Sequence, residues 1–125
     1  MQTDRRAGTV IFVSNRSPDA TVAQDIKARG LAVQWARSIR AAVDLLNSAR
    51  EKTVIVTELA LADGNWRDLV ERMRGIDICV PIVLTTSFST AELWWDALEC
   101  GVVDILPGYL IASRLCQLLE TQGAS

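Results

Sequence analysis

The chain contains no histidine, so imidazole-based catalytic triads, histidine-ligated metals and histidine pH switches are excluded at the outset. Cysteine is sparse, with three residues, Cys79, Cys100 and Cys116. A small odd number in a chain long enough to bury its own core is no disulfide framework and points to a reducing compartment. Each cysteine sits among apolar neighbours (ICVP, LECG, RLCQL), the setting of a small core hydrophobe rather than of a nucleophile or metal ligand. Basic clusters are also missing. Thirteen Lys and Arg against 15 Asp and Glu leave a net charge of −2, so no direct nucleic-acid contact by this domain is expected. No apolar run approaches the ~18 to 20 residues of a membrane-spanning helix, and the first eight residues, MQTDRRAG, lack the apolar segment of a signal peptide. A cytoplasmic protein without a membrane partner is therefore expected, with residues 1–8 as a flexible tail and 121–125 (TQGAS) as a polar C-terminal tail.

What the chain does have is apolar content, half of its 125 residues, which suits one domain, placed at residues 9–120. Thr9 to Val13 (TVIFV) is a short β-branched run that reads as a strand buried on both faces. Val22, Ala23 and Ile26 then recur at helical spacing between Asp19 and Arg29, and Gly30 stops the helix. LAVQWA (31–36) reads as a second strand, after which Ser38 caps a helix with the apolar stripe Ile39, Ala42, Val43 and Leu46. TVIVTE (53–58) is a third strand, and LALADG leads into a helix from about Asn65 to Arg74 with Leu69, Val70 and Met73 facing inward. CVPIVLTT (79–86) is a fourth strand, Ser89-Thr90-Ala91-Glu92 a capping box, and the next helix runs to Cys100 before Gly101. VVDIL (102–106) is the fifth strand and about Leu110 to Leu119 the last helix.

Five strands alternating with five helices, without linker or repeat, imply parallel pairing through right-handed crossovers and helices on both sheet faces, a doubly wound (βα)5 three-layer α/β sandwich. In such sheets the working crevice lies at the carboxyl ends of the strands near the switch in strand order. The candidates there are Ser14, Asn15, Arg16, Glu58, Ala60, Thr86, Ser87, Pro107 and Gly108.

With these elements in place, three segments acquire meaning together. ELALADG (58–64), PIVLTTS (81–87) and ALECGVVDIL (97–106) fall in order and without large gaps, and on them the chain resembles the receiver domains of two-component response regulators, the chemotaxis-regulator-like group, over about Thr9 to Glu120. The resemblance implies a flavodoxin-like sheet of order 2-1-3-4-5. It also implies a phosphorylation pocket, and most of that pocket is altered. The family's phosphoacceptor Asp falls on Glu58, its acidic metal-binding pair on Ser14 and Asn15, its backbone ligand on Ala60, and its strand-five Lys on Gly108, followed by Tyr109 where the family usually has Pro. The strand-four hydroxyl is kept as Thr86.

Phosphoryl transfer to a carboxylate needs a divalent cation held by hard anionic ligands. Ser14 and Asn15 are neutral, Glu58 supplies at most one anionic ligand, and Gly108 offers no ammonium group. Neither a metal nor another cofactor is expected, and no catalytic residue is assigned. A Glu carboxylate reaches about one methylene further than an Asp and so approaches the place of an aspartyl phosphate, a partial and permanent imitation, with Arg16 as candidate counter-ion. The plain alternative is a strand-end carboxylate facing water. Thr86 likewise reads either as a switch hydroxyl or as a β-branched strand residue bonded to nearby backbone.

Receiver domains generally signal through the fourth and fifth helices, which the resemblance places at residues 90–119. If Ala97 faces inward, Trp94 and Gly101 share its side, and Trp95 and Leu98 point elsewhere. Trp95 and Leu98, with Tyr109 nearby, then form a candidate docking surface for a protein partner or a second copy of the chain. Packing of Trp95 on Tyr109 within one chain is the alternative, and Trp66 is open in the same way. Arg67/Glu71 and Glu71/Arg74 have the spacing of a solvated charged face, Asp63-Gly64 reads as turn chemistry, and Asp104 as a structural hydrogen-bonding group.

The leading expectation is thus an atypical receiver domain, a non-enzymatic interaction module of two-component signalling that works without phosphate. A second is a sensor of small anions using SNRSPDAT (14–21) at the start of the first helix. A third is a receiver phosphorylated on Glu58 by unconventional chemistry.

Overall fold

Five parallel strands carry the fold because each is an apolar run with material to bury on both faces. In the computed structural model, residues 8–17, 19–48, 52–76, 80–86 and 89–123 are described. The central strand β1 (Gly8–Val13) is buried along its whole length. Its side chains alternate between two cores: Ile11 and Val13 join one, Val10 and Phe12 the other. β3 (Thr53–Thr57) divides the same way, with Ile55 opposite Val54 and Val56. β2 (Leu31–Ala36) pairs with β1 at the edge of the sheet.

Helices cover both faces. α1 (Ala20–Ala28) and α5 (Ile111–Gly123) seal one core through Ile26, Ile111, Ala112 and Leu115. α2 (Ile39–Asn47), α3 (Trp66–Gly75) and α4 (Ala91–Glu99) seal the other through Val43, Leu46, Leu69, Met73 and Ala97. A two-residue hairpin, β4 (Ala60–Leu61) against β5 (Gly64–Asn65), precedes α3. β6 (Ile82–Thr85) and β7 (Asp104–Leu106) complete the sheet in the order β2-β1-β3-β6-β7. Without the hairpin this is the expected 2-1-3-4-5 order of a doubly wound flavodoxin-like sandwich. No helix among the described residues is long and apolar enough to cross a membrane.

Several boundaries differ from the sequence reading for local reasons. β1 begins one residue earlier, at Gly8, within the segment read as tail, and α5 runs on to Gly123. α5 is preceded by a 3-10 turn, Gly108–Leu110, where helix had been expected from Leu110. The expected Ser89 capping box does not form: Thr90, one residue nearer the helix, accepts the Leu93 N–H at 3.1 Å, which moves Glu92 off the third helical position. β7 starts two residues late because α4 ends in a Schellman turn. Gly101 adopts φ 94°, its N–H donates to the Leu98 carbonyl, and Val102 N–H donates to the Ala97 carbonyl. The fourth strand begins at Ile82, and Cys79 and Ser87 lie outside the described residues. Cys100 and Cys116 are free and half-buried at the margins of the two cores.

Asp63 does more than turn the chain. Its carboxylate accepts the Ile39 N–H at 2.8 Å and the Arg40 N–H at 3.2 Å, while the Ser38 hydroxyl accepts the Ala41 N–H. The donors that open α2 are therefore satisfied partly from the hairpin. Those bonds, that from Ile39 foremost, hold the Asp63 carboxyl below its ordinary value. Gly64 beside it has φ 152°, and a Cβ there would lie 2.5 Å from the Asp68 carboxylate, which closes the Asn65 capping box of α3. Only glycine fits that corner.

Candidate functional site

The switch in strand order falls between β1 and β3, so the residues that follow them face each other across the carboxyl edge. Glu58 lies one residue past β3, not inside the strand as TVIVTE had suggested. Its N–H donates to the Val13 carbonyl at 3.1 Å, which fixes the backbone at the sheet edge, and the residue is half-buried. Ser14, following β1, is buried, donates its N–H to the Ala36 carbonyl and its hydroxyl to the Arg16 carbonyl at 2.5 Å. The Ser14 carbonyl in turn accepts the Trp35 indole N–H at 3.1 Å.

A cleft of about 390 Å³ opens here, bounded by Ser14, Arg16, Glu58, Thr85 and Gly108 at the rim and by Phe12, Val22 and Ile111 below. A second, of about 320 Å³, joins Glu58 to Thr86 across Gly108. The structure thus brings together Ser14, Arg16, Glu58, Thr86 and Gly108. Asn15 and Ala60 line neither cavity, and the Thr86 N–H donates to the Leu106 carbonyl at 3.2 Å. Arg16 is a correction to the expected counter-ion. It stands on the wall of the larger cleft, exposed, and no ion pair joins it to Glu58. Thr85 was missed. Strand alternation could have found it, because Val83 and Thr85 share a face and Val83 belongs to the core under α1 and α5.

The donor set does not fit a bound divalent cation. Ser14 is a neutral hydroxyl committed to backbone, Asn15 an exposed neutral amide, and Glu58 the single carboxylate contributed from the sheet edge. Hard cations such as Mg²⁺ take carboxylate-rich oxygen sets. Among the described residues, no three His, Cys, Asp or Glu side chains gather in a way that could hold a metal.

Away from the cleft, α4 has the expected arrangement except at Gly101, which is exposed in the turn after the helix rather than on the inward side with Ala97. Ala97 is fully buried, Trp94 packs on the core, and Trp95 and Leu98 are 71% and 48% exposed. Val103 and Leu110 are exposed as well. The Tyr109 side chain, the alternative partner of Trp95, lies outside the described residues. Trp66 is buried in the core. The expected charged face of α3 is built differently: neither Arg67 nor Arg74 pairs with Glu71. Arg67 forms an ion pair with Asp96 of α4 and lies over the Trp66 ring, and Arg74 donates to the Cys100 carbonyl at 2.8 Å. Both reach across because the end of α4 presents an unfilled acceptor and a carboxylate close by. Asp104 is structural, accepting the Ile105 N–H and pairing with Arg114 of α5 at 2.8 Å.

No family model matches the chain, and no curated protein does. Solved structures do. A two-component response regulator from Clostridium difficile superposes with a TM-score of 0.77 at 18% identity, covering 94% of this chain and 99% of that one. The signal receiver domain of a signal transduction histidine kinase from Syntrophus aciditrophicus gives 0.75 at 22% identity, with 94% of each chain covered. A response regulator from Burkholderia pseudomallei, whose crystal structure holds a phosphorylated aspartic acid, calcium ion and citrate, gives 0.72 at 18% identity, covering 92% of this chain and 68% of that one. At such identities the shared property is the fold, and this chain has the fold of signal receiver domains.

Proposed function

We propose that this chain is an atypical receiver domain of two-component signalling, a non-enzymatic module that regulates by binding a protein partner or a second copy of itself and does so without accepting phosphate. The observation that carries this reading is the composition of the strand-edge cleft. Glu58 stands at the end of β3 where receiver domains are expected to carry the phosphoacceptor, with Ser14 committed to the Arg16 carbonyl and Gly108 without a side chain. Glu58 there is a fixed carboxylate, a partial and permanent substitute for a phosphoryl group. The output surface in this reading is the face of α4 bearing Trp95 and Leu98; Val103 and Leu110 are further exposed apolar side chains of the 90–119 segment. Anion sensing at the start of α1 is less well supported, because the Asp19 carboxylate already accepts the Thr21 N–H there.

The test is a titration with Mg²⁺ followed by beryllofluoride, a phosphoryl mimic, monitored by amide NMR and tryptophan fluorescence. The expected result is no saturable change at Ser14, Glu58 or Thr86. Mg²⁺-dependent saturable shifts at those amides would show a working phosphoryl pocket and overturn the reading.

A further inference from the structure

The larger cleft has a chemistry that the proposed function leaves unused. We infer that it is a binding site for a small organic cation, a primary ammonium carrying a short apolar chain, with the charge seated at Glu58 and the chain lying between α1 and α5. This inference does not depend on how the domain signals.

Three observations support it. The volume, about 390 Å³, falls in the range of small-ligand sites, roughly 300 to 1,000 Å³. The floor is apolar, made where Phe12, Val22 and Ile111 meet at the upper limit of the core; Phe12 and Ile111 are buried, and the half-buried Val22 offers the apolar surface that a short hydrocarbon chain would cover. The wall at Gly108 leaves the space open: a Cβ there would meet only Val22 Cγ2, at 3.7 Å.

The charge of the lining selects the sign of the ligand. Glu58 is half-buried, and among the described residues neither a hydrogen-bond donor nor a cation reaches its carboxylate. A partly desolvated carboxylate gains most from a cationic donor, because a charge-assisted hydrogen bond replaces the water it has lost. Asp19 adds a second carboxylate to the same lining, and Arg16 is the one cation against the two. An anion entering this cleft would face net repulsion. A bare divalent ion would find two carboxylates, that of Asp19 already accepting the Thr21 N–H, and an apolar floor, a poor replacement for its hydration shell. An alkylammonium matches both halves, with the Thr85 hydroxyl as a further acceptor at the rim.

The test uses the full chain labelled with ¹⁵N and titrated at constant ionic strength with n-butylammonium, and in parallel with n-butanol and butyrate. Saturable shifts are expected at Ser14, Glu58, Thr85 and Gly108, with butanol binding roughly fivefold more weakly, the factor a partly exposed charge pair supplies. Glu58→Gln removes the preference for the cation, and Gly108→Leu, which leaves Glu58 in place, blocks binding by filling the cleft. The Glu58 backbone bond to Val13 is independent of its side chain, so Glu58→Gln keeps its fold. No saturation up to about 100 mM, equal binding of butanol, tighter binding of butyrate, or an unchanged preference in Glu58→Gln would each overturn the inference. None of these results bears on Mg²⁺ and beryllofluoride binding, so the two readings fail separately.

Discussion

Asp63 and Ser38 show how two different residues come to share one role at a helix start. Ser38 is adjacent to α2 and its capping role is visible in the sequence, because hydroxyl residues before an apolar stripe have few other uses. Asp63 is 24 residues away from Ile39, and only the crossover that returns the chain beside β1 brings them together. Position along the chain therefore suggested a turn residue, and packing made it a cap. Asp63→Ala is expected to cost about 1 kcal/mol of stability near neutral pH, the usual loss on removing a cap from an exposed helix end. The carboxyl is held below its ordinary value in the folded state. Its contribution is thus fully present above the unfolded value and disappears as pH falls through the lowered one. Urea denaturation at pH 7 and again below about pH 4 checks this, with the gap between the two proteins shrinking in acid. The site residues follow the same rule of legibility. Glu58, Ser14 and Gly108 were readable because they sit at strand ends, whereas the partner chosen by Ser14, the Arg16 carbonyl, and the absence of an Arg16–Glu58 pair depend on how the loop folds back.

At the scale of elements, the strands were legible as apolar runs: LAVQWA was bounded correctly at the sheet edge, and TVIFV and TVIVT, buried on both faces with no amphipathic alternative, were each placed to within one residue. The parts misjudged were those set by hydrogen bonds between elements. The Schellman turn after α4 delays β7, and the hairpin of Ala60–Leu61 with Gly64–Asn65 is too short to leave a hydrophobic period. The same applies to α3 and α4, whose exposed sides are coupled by Arg67 with Asp96 and by Arg74 with the Cys100 carbonyl. The sequence spacing pointed instead to pairs within α3, because helical neighbours are visible in one dimension and cross-helix neighbours are not. The Arg67 and Asp96 side chains are 52% and 42% exposed, so solvent screens most of their attraction. A double-mutant cycle with Arg67→Gln and Asp96→Asn is expected to give a coupling of about 0.5 kcal/mol, falling toward zero in about 1 M salt. A coupling that is insensitive to salt would show that the contact works through packing rather than charge.

For the molecule as a whole, the two cores and the exposed face of α4 are separate in energy, which makes the docking surface testable without disturbing the fold. Trp94 and Trp95 are neighbours in sequence with opposite fates: one packs on the core, the other is 71% exposed. Removing a side chain that makes little contact within its own chain leaves stability within about 0.5 kcal/mol. Exposed Trp and Leu one helical turn apart are nonetheless the kind of anchor on which protein interfaces concentrate their energy. A net charge of −2 offers little repulsion between copies of the chain. Trp95→Ala is therefore expected to leave the midpoint of urea denaturation almost unchanged while weakening self-association, or capture of a protein partner, by roughly tenfold or more, as removal of a central anchor does. Sedimentation velocity over a concentration series reads the first and a binding isotherm the second. If both are unaffected while the fold is intact, the α4 face is merely solvent-exposed, and the interaction surface has to be sought elsewhere on the sandwich.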